Sequence, residues 1–105
     1  MKTVLRTTAM AAVVSVAAFG TAQAQDLTVV SWGGAYTASQ QKAYHDPYMK
    51  MNPGVNIIND DSAAEGLAKL RAQVESGNVT WDLVDMVASS AITACDEGLA
   101  MEIDP

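Results

Sequence analysis

One cysteine, Cys95, and one histidine, His45, are all that the 105 residues hold of those two types. A lone cysteine has no disulfide partner within the chain. It also lies far from the N-terminal segment, so a lipid anchor on a cleavage-point cysteine has no residue to use. A lone histidine cannot build a metal site without partners, and His45, beside Asp46, falls on what reads as an exposed helix. Basic residues are scarce, six Lys and Arg against twelve Asp and Glu. Nucleic acid and anionic membranes both need clustered Lys and Arg to replace counterions, so neither is an expected partner. The pair Gly33-Gly34 lacks both the G-x-G-x-x-G spacing and the lysine of a phosphate loop. Asp82 and Asp85 stand three apart on an expected strand, on opposite faces, and so form no acid/base pair. No nucleophile with a base is seen, no cofactor is expected, and the chain carries no internal repeat or low-complexity linker.

What is present begins with Lys2 and Arg6, ahead of an uncharged apolar run from Ala9 to Phe19 and the small-residue series Gly20, Thr21, Ala22, Gln23, Ala24. That is the order of a cleavable secretory signal. The run is about half of the roughly 20 residues a membrane-crossing helix needs, and cleavage is expected after Ala24. Removing residues 1–24 leaves four basic against twelve acidic side chains, a net charge of −8. Such a chain permits a cationic ligand without requiring one.

Residues 25–105 alternate in pattern. Leu27 to Ser31 reads as a buried strand closed by Trp32 and the breaker pair Gly33-Gly34. Ala35 to about Met51 reads as a helix with the stripe Tyr36, Gln40, Tyr44, Tyr48, Met51, whose Tyr36, Tyr44 and Tyr48 are taken as core packing, and it is interrupted near Pro47. The turn Asn52-Pro53-Gly54 ends it. Val55 to Ile58 is a second strand. It leads into a helix that buries Leu67, Leu70 and Val74, starts with a capping box of Ser62 and Glu65, and stops at Gly77-Asn78. Leu83 to Val87 is the third strand, and the helix after Ala88, Ser89 and Ser90 buries Ile92, Cys95 and Leu99 and ends near Gly98. Strand and helix in alternation predict an α/β fold with a mostly parallel sheet flanked by helices. In such a sheet, ligands bind beyond the carboxyl ends of the strands. Three loops lie there: Trp32 to Tyr36, Asp60 to Glu65 and Ala88 to Ser90. Trp32 and Tyr36 can stack on alkyl or cationic groups, and Gly33 and Gly34 allow close backbone approach. Trp32 could equally cap a core, and Ser62 or Ser89 could serve as a helix cap rather than a binding group.

The stretches LTVVSWGGAY, NPGVNI, AAEGLAKLRAQVESGNVTWDLVDM and DEGLAMEID resemble the N-terminal lobe of periplasmic substrate-binding proteins of ABC importers, in the spermidine/putrescine-type branch. The resemblance implies a two-lobe fold closing on a solute across a hinge, of which residues 25–105 are the N-terminal part of lobe 1, apparently truncated. It implies no enzymatic activity, a periplasmic location, a small cationic amine as solute, an inner-membrane ABC permease as partner, and a monomer when full length. It places Trp32, Gly33, Gly34, Tyr36 and Ser89 at the ligand cleft, with aromatics sandwiching a methylene chain and its ammonium groups. Acidic residues that grip the ammonium would come largely from the second lobe and the hinge, with Asp60, Asp61 and Asp85 as the local candidates. After strand three, small residues stand where the family often has tyrosine, and Gly33-Gly34 slims the first loop. Both departures leave room for another amine, an amino acid or an opine-like solute. The remaining alternative is a small exported α/β enzyme.

Overall fold

The computed structural model describes residues 24–104. The expected signal segment, residues 1–24, lies outside them except for Ala24.

Among the described residues three parallel strands form a sheet, in the order β2-β1-β3. The central strand β1 (Gln25–Val30) is rich in Leu, Thr and Val, residues that suit a pleated, covered surface. It pairs over its whole length with β2 (Val55–Asp60), from Gln25 opposite Val55 to Val30 opposite Asp60. On the other side it pairs with β3, which is only Leu83–Val84, opposite Val29 and Val30. The expected third strand, Leu83 to Val87, is thus cut to two residues, and the backbone hydrogen bonds continue at its ends. Asp82 N–H donates to the Thr28 carbonyl and Asp85 N–H to that of Val30. The Asp82 carboxylate takes the Thr28 N–H at 2.7 Å, a side chain standing in for a missing strand residue.

The chain between β1 and β2 is helical throughout: α1 (Gly34–Gln40), a π-helical turn (Gln41–His45) and α2 (Asp46–Met51). The interruption expected near Pro47 is this π turn. Proline has no N–H and its ring meets the carbonyl four residues back, here that of Ala43, and widening the turn around that carbonyl lets the helix continue. The structure reverses the expected burial. Tyr36, Tyr44, Tyr48 and Met51 are all exposed, while Thr37 and His45 are buried. Two stripes of spacing four, one residue apart, run along this segment: Thr37 and His45, on the second, turn inward, and Gln40 on the tyrosine stripe reaches a partner there as well. Thr37 and Gln40 are both bonded inward. His45, expected on a solvated face, is 6 % exposed, and among the described residues its Nδ1 has no hydrogen-bond partner.

After β2, a 3₁₀ turn (Ala63–Glu65) leads into α3 (Gly66–Ser76). The expected capping box is absent, since Ser62 makes no side-chain cap bond. Its N–H and hydroxyl both donate to Asp60 Oδ1 instead. The C-terminus matches expectation, because Gly77 adopts φ 68° and the N–H groups of Gly77 and Asn78 return to the carbonyls of Val74 and Gln73, which is the Schellman arrangement. Gly66 packs on β3, a Cβ there meeting Val84 Cγ1 at 3.4 Å. Leu70 is buried and Leu67 half-buried, but Val74 is exposed. The last helix, α4 (Ala88–Asp96), inverts the expected face. Ala94 is its buried residue, Leu99 beyond it is half-buried, and Ile92 and Cys95 are exposed.

The two crossovers leave β1 and return past it in opposite directions, so right-handed connections place their helices on opposite faces of the sheet. The loops after β1 and β3 therefore flank a topological switch point. The most buried apolar side chain of the sheet is Val30, the last residue of β1, with no exposed surface. Val30→Ala removes two methyl groups from a site with little room to collapse. It should cost about 2–3 kcal/mol, read as a lower urea midpoint with an unchanged slope.

Candidate functional site

The carboxyl ends of all three strands converge on one surface. Ser31 follows β1, its N–H donating to the Asp60 carbonyl and its carbonyl accepting from Ala63 N–H. These bonds tie the first loop to the second. A second tie runs through side chains. The Gly33 N–H donates to Thr37 Oγ1 at 3.0 Å, and that hydroxyl donates to Asp61 Oδ1 at 2.9 Å. The third loop is joined through Asp85, whose Oδ2 accepts from Gln40 Nε2 at 2.7 Å and lies 3.1 Å from Ser31 Oγ. Ser31 Oγ is also 2.6 Å from Gln40 Oε1. Ser31, 0 % exposed, thus sits at the junction of α1, β1 and the loop after β3.

A cleft of about 320 Å³ opens beside this junction, bordered by Trp32, Glu65, Arg71, Met86, Val87 and Ser90 among others. It draws on the loops after β1 and β3 and on the first two turns of α3, the position the switch-point rule selects. Trp32 is 41 % exposed, so it does not cap a core, and its indole stays open to a partner. Gly33 has φ 82° and ψ 179°, and Gly34 opens α1 at φ 54°. Tyr36 is half exposed in the first turn of α1. Ser89 is exposed in the first turn of α4. The residue before that helix is Val87, with no side-chain cap bond, so Ser89 is not the cap; its carbonyl accepts from Thr93 Oγ1. Trp32 borders the cleft itself, while Gly33, Gly34, Tyr36 and Ser89 stand on the loops and first helical turns at the same end of the sheet.

Sequence reasoning missed Thr37, Gln40 and Trp81. Thr37 and Gln40 are the polar groups that lock the loops; Gln40 stands on the tyrosine stripe itself, and Thr37 one position beside it. Trp81 Nε1 donates to Asp60 Oδ2 at 3.0 Å. With the Ser62 hydroxyl foremost, then the Ser62 N–H, Trp81 and the charge of Lys69, this holds the Asp60 carboxyl below its usual range against a partial desolvation that pushes the other way. On the rim, Arg71 forms a two-bond fork with Glu97 at 2.8 Å, which raises Arg71 and lowers Glu97. Among the described residues no His, Cys, Asp and Glu cluster has metal-holding geometry, and no helix there is long and apolar enough to cross a membrane.

No protein-family model matches the chain. Over 89 residues, 85 % of its length, it is 38 % identical to the gamma-aminobutyric acid-binding protein of Pseudomonas aeruginosa. The chain spans about a quarter of that relative, 25 % of its length. The similarity points to the class of periplasmic binding proteins, and the α/β architecture with its small parallel sheet is the one expected of part of a lobe in that class.

Proposed function

We propose that this chain belongs to an exported solute-binding protein that captures a small amine-bearing solute and delivers it to an inner-membrane ABC permease. It contributes the opening part of the first lobe, behind a signal peptide cleaved after Ala24, and it carries no catalytic activity of its own. The observation behind this reading is the 38 % identity to a gamma-aminobutyric acid-binding protein, with the open indole of Trp32 at the switch-point cleft as its physical counterpart. γ-Aminobutyric acid and the polyamines share a primary ammonium on a short methylene chain. An aromatic face suits both, since cation–π contact contributes roughly 0.5–2 kcal/mol depending on desolvation, and the apolar ring covers the methylenes. Trp32 and Tyr36 are the proposed aromatic contacts, Gly33 and Gly34 the points of close backbone approach, and Ser89 a hydrogen-bonding group from the loop side of α4. The slim loops and small residues at 88–90 favour a short amino acid over spermidine, with putrescine between them.

The test is a thermal-shift series on the full-length protein with γ-aminobutyric acid, putrescine, spermidine and neutral butanol. A ligand at 100 times its Kd should raise stability by about 2.7 kcal/mol, so the amines should lift the melting midpoint and butanol should not. A midpoint unmoved by every amine would sink the proposal. The same titrations followed by tryptophan emission, compared between the wild type and Trp32→Ala, separate the Trp32 signal from that of Trp81, and Trp32→Ala should weaken the best amine about tenfold.

A further inference from the structure

We infer that Asp61, aimed by the buried hydroxyl of Thr37, is the carboxylate with which this lobe recognises the ammonium group of the solute. This rests on the solute-binding reading and deepens it. Three aspartates end the strands, and their hydrogen bonds separate them. Asp60 is engaged by the Ser62 N–H, the Ser62 hydroxyl and the Trp81 indole. Asp85 is engaged by Gln40 and Ser31. Both tie the fold together. Asp61 receives one bond, from Thr37 Oγ1 to its Oδ1, and the residue is exposed. Its Oδ2 lies 3.3 Å from the position a Cβ would occupy on Gly33, against the loop that carries Trp32 and Tyr36. Among the described residues Asp61 forms no ion pair, whereas the two ion pairs present engage Glu65 and Glu97.

Thr37 makes this more than an exposed carboxylate. It is 6 % exposed, and its hydroxyl takes the Gly33 N–H while giving its proton to Asp61. One buried side chain therefore sets both the rotamer of the acid and the position of the aromatic loop. A carboxylate already held in place loses little freedom when a cation arrives, and its free oxygen has lone pairs to accept an ammonium proton. Glycine at 33 is needed for this approach, since a side chain there would meet the Asp61 Cβ at 3.2 Å.

Two substitutions divide the charge from the aim. Asp61→Asn keeps an oxygen to accept from Thr37 but removes the charge, and Thr37→Val keeps the charge but removes the hydroxyl. Isothermal titration of the full-length protein with γ-aminobutyric acid and with putrescine should show a 10- to 100-fold weaker Kd for Asp61→Asn, the size expected of a lost charge-assisted hydrogen bond. The melting midpoint of the ligand-free protein should hardly move. Thr37→Val should weaken both ligands by a smaller factor and speed hydrogen exchange at the Gly33 amide, and Thr37→Ser should restore both. Amine binding by the wild type with unchanged affinity in Asp61→Asn overturns the role of Asp61 and leaves the solute-binding reading standing. A loss of affinity that merely follows a fall in ligand-free stability does the same. A wild type that binds neither amine overturns the reading and this inference with it.

Discussion

Gly33→Ala should disable solute binding and destabilise the protein by about 2–3 kcal/mol, while Gly34→Ala, one residue on, should cost about 1–2 kcal/mol and weaken binding less. Gly33 sits at φ 82° with ψ 179°, a region that only glycine occupies without strain of order 1–3 kcal/mol. The added methyl would also stand 3.2 Å from Asp61 Cβ and 3.3 Å from its Cγ and Oδ2. The carboxylate can retreat, being exposed, but only by giving up its bond from Thr37, which in turn holds the Gly33 N–H. The strain and the lost bonds therefore act on the same loop. Gly34 at φ 54° has nothing within 4 Å of a Cβ position, so alanine there meets only the left-handed backbone penalty, roughly 1–2 kcal/mol. Urea unfolding of the two variants, with amine titration of each, checks the contrast. Equal stability losses would show that the Asp61 contact adds nothing.

The alternation of strand and helix was legible because each element carries its own local signals. Apolar runs at β1 and β2, Asn52-Pro53-Gly54 between helix and strand, and glycines just past α3 and α4 fixed the order, and the order implied the parallel sheet. Which face of a helix turns inward was not legible for the segment from Gly34 to Met51. Tyr36, Tyr44 and Tyr48 repeat every four or eight residues, and so do Thr37, Gln41, His45 and Met49, one position away. Hydropathy favours the tyrosines. The loops at the carboxyl ends of the three strands instead offer a glycine N–H, a serine hydroxyl and two carboxylates, met by Thr37 on the second stripe and by Gln40 on the first. α4 failed for another reason. Cys95 and Leu99 border an apolar hollow of about 570 Å³ beside the edge strand β3, shared with Leu83, Met101 and Ile103, so apolar character there does not translate into burial.

The candidate site was legible at its loops and not in its connections. The rule that ligands gather at the carboxyl ends of parallel strands selected the segments that structure brings together, and Trp32 borders the cleft there. The bonds that hold those loops join residues far apart in sequence. Thr37 reaches Asp61 over 24 positions and Gln40 reaches Asp85 over 45. No local spacing encodes such pairs, because a single hydroxyl or amide looks the same in the sequence whether it faces water or a carboxylate. The same holds for Trp81, whose half-buried indole nitrogen has a polar role that its hydrophobicity conceals.

Asp60→Ala should produce a stability loss of about 3–4 kcal/mol, larger than the loss from Val30→Ala. The carboxylate accepts the Ser62 N–H and hydroxyl and the Trp81 Nε1–H, and hydrogen bonds to a charged acceptor are worth about 1.5–3 kcal/mol each. The sum falls short of three full bonds because Ser62 can turn to water. Trp81 is half-buried and is left with a donor that water reaches poorly. Asp60→Asn retains an acceptor and should cost less than half as much. The pH dependence distinguishes the charge from the shape. In the folded protein the Asp60 carboxyl is held below its usual value, chiefly by the Ser62 hydroxyl, whereas in the unfolded chain it titrates near about 3.9. The unfolded state therefore binds the proton more readily, and the contribution is fully present above that unfolded value. It is lost as pH falls through the lower folded one. The Asp60 contribution should stay level from neutrality to about pH 5 and decline below about pH 4. In Asp60→Asn the acid decline in stability should be shallower than in the wild type, leaving the part contributed by Glu97, which is lowered by its bond to Arg71. Urea midpoints measured from pH 7 to pH 3 for the two proteins read this directly, and parallel acid profiles would mean that Asp60 holds Ser62 and Trp81 by its shape alone.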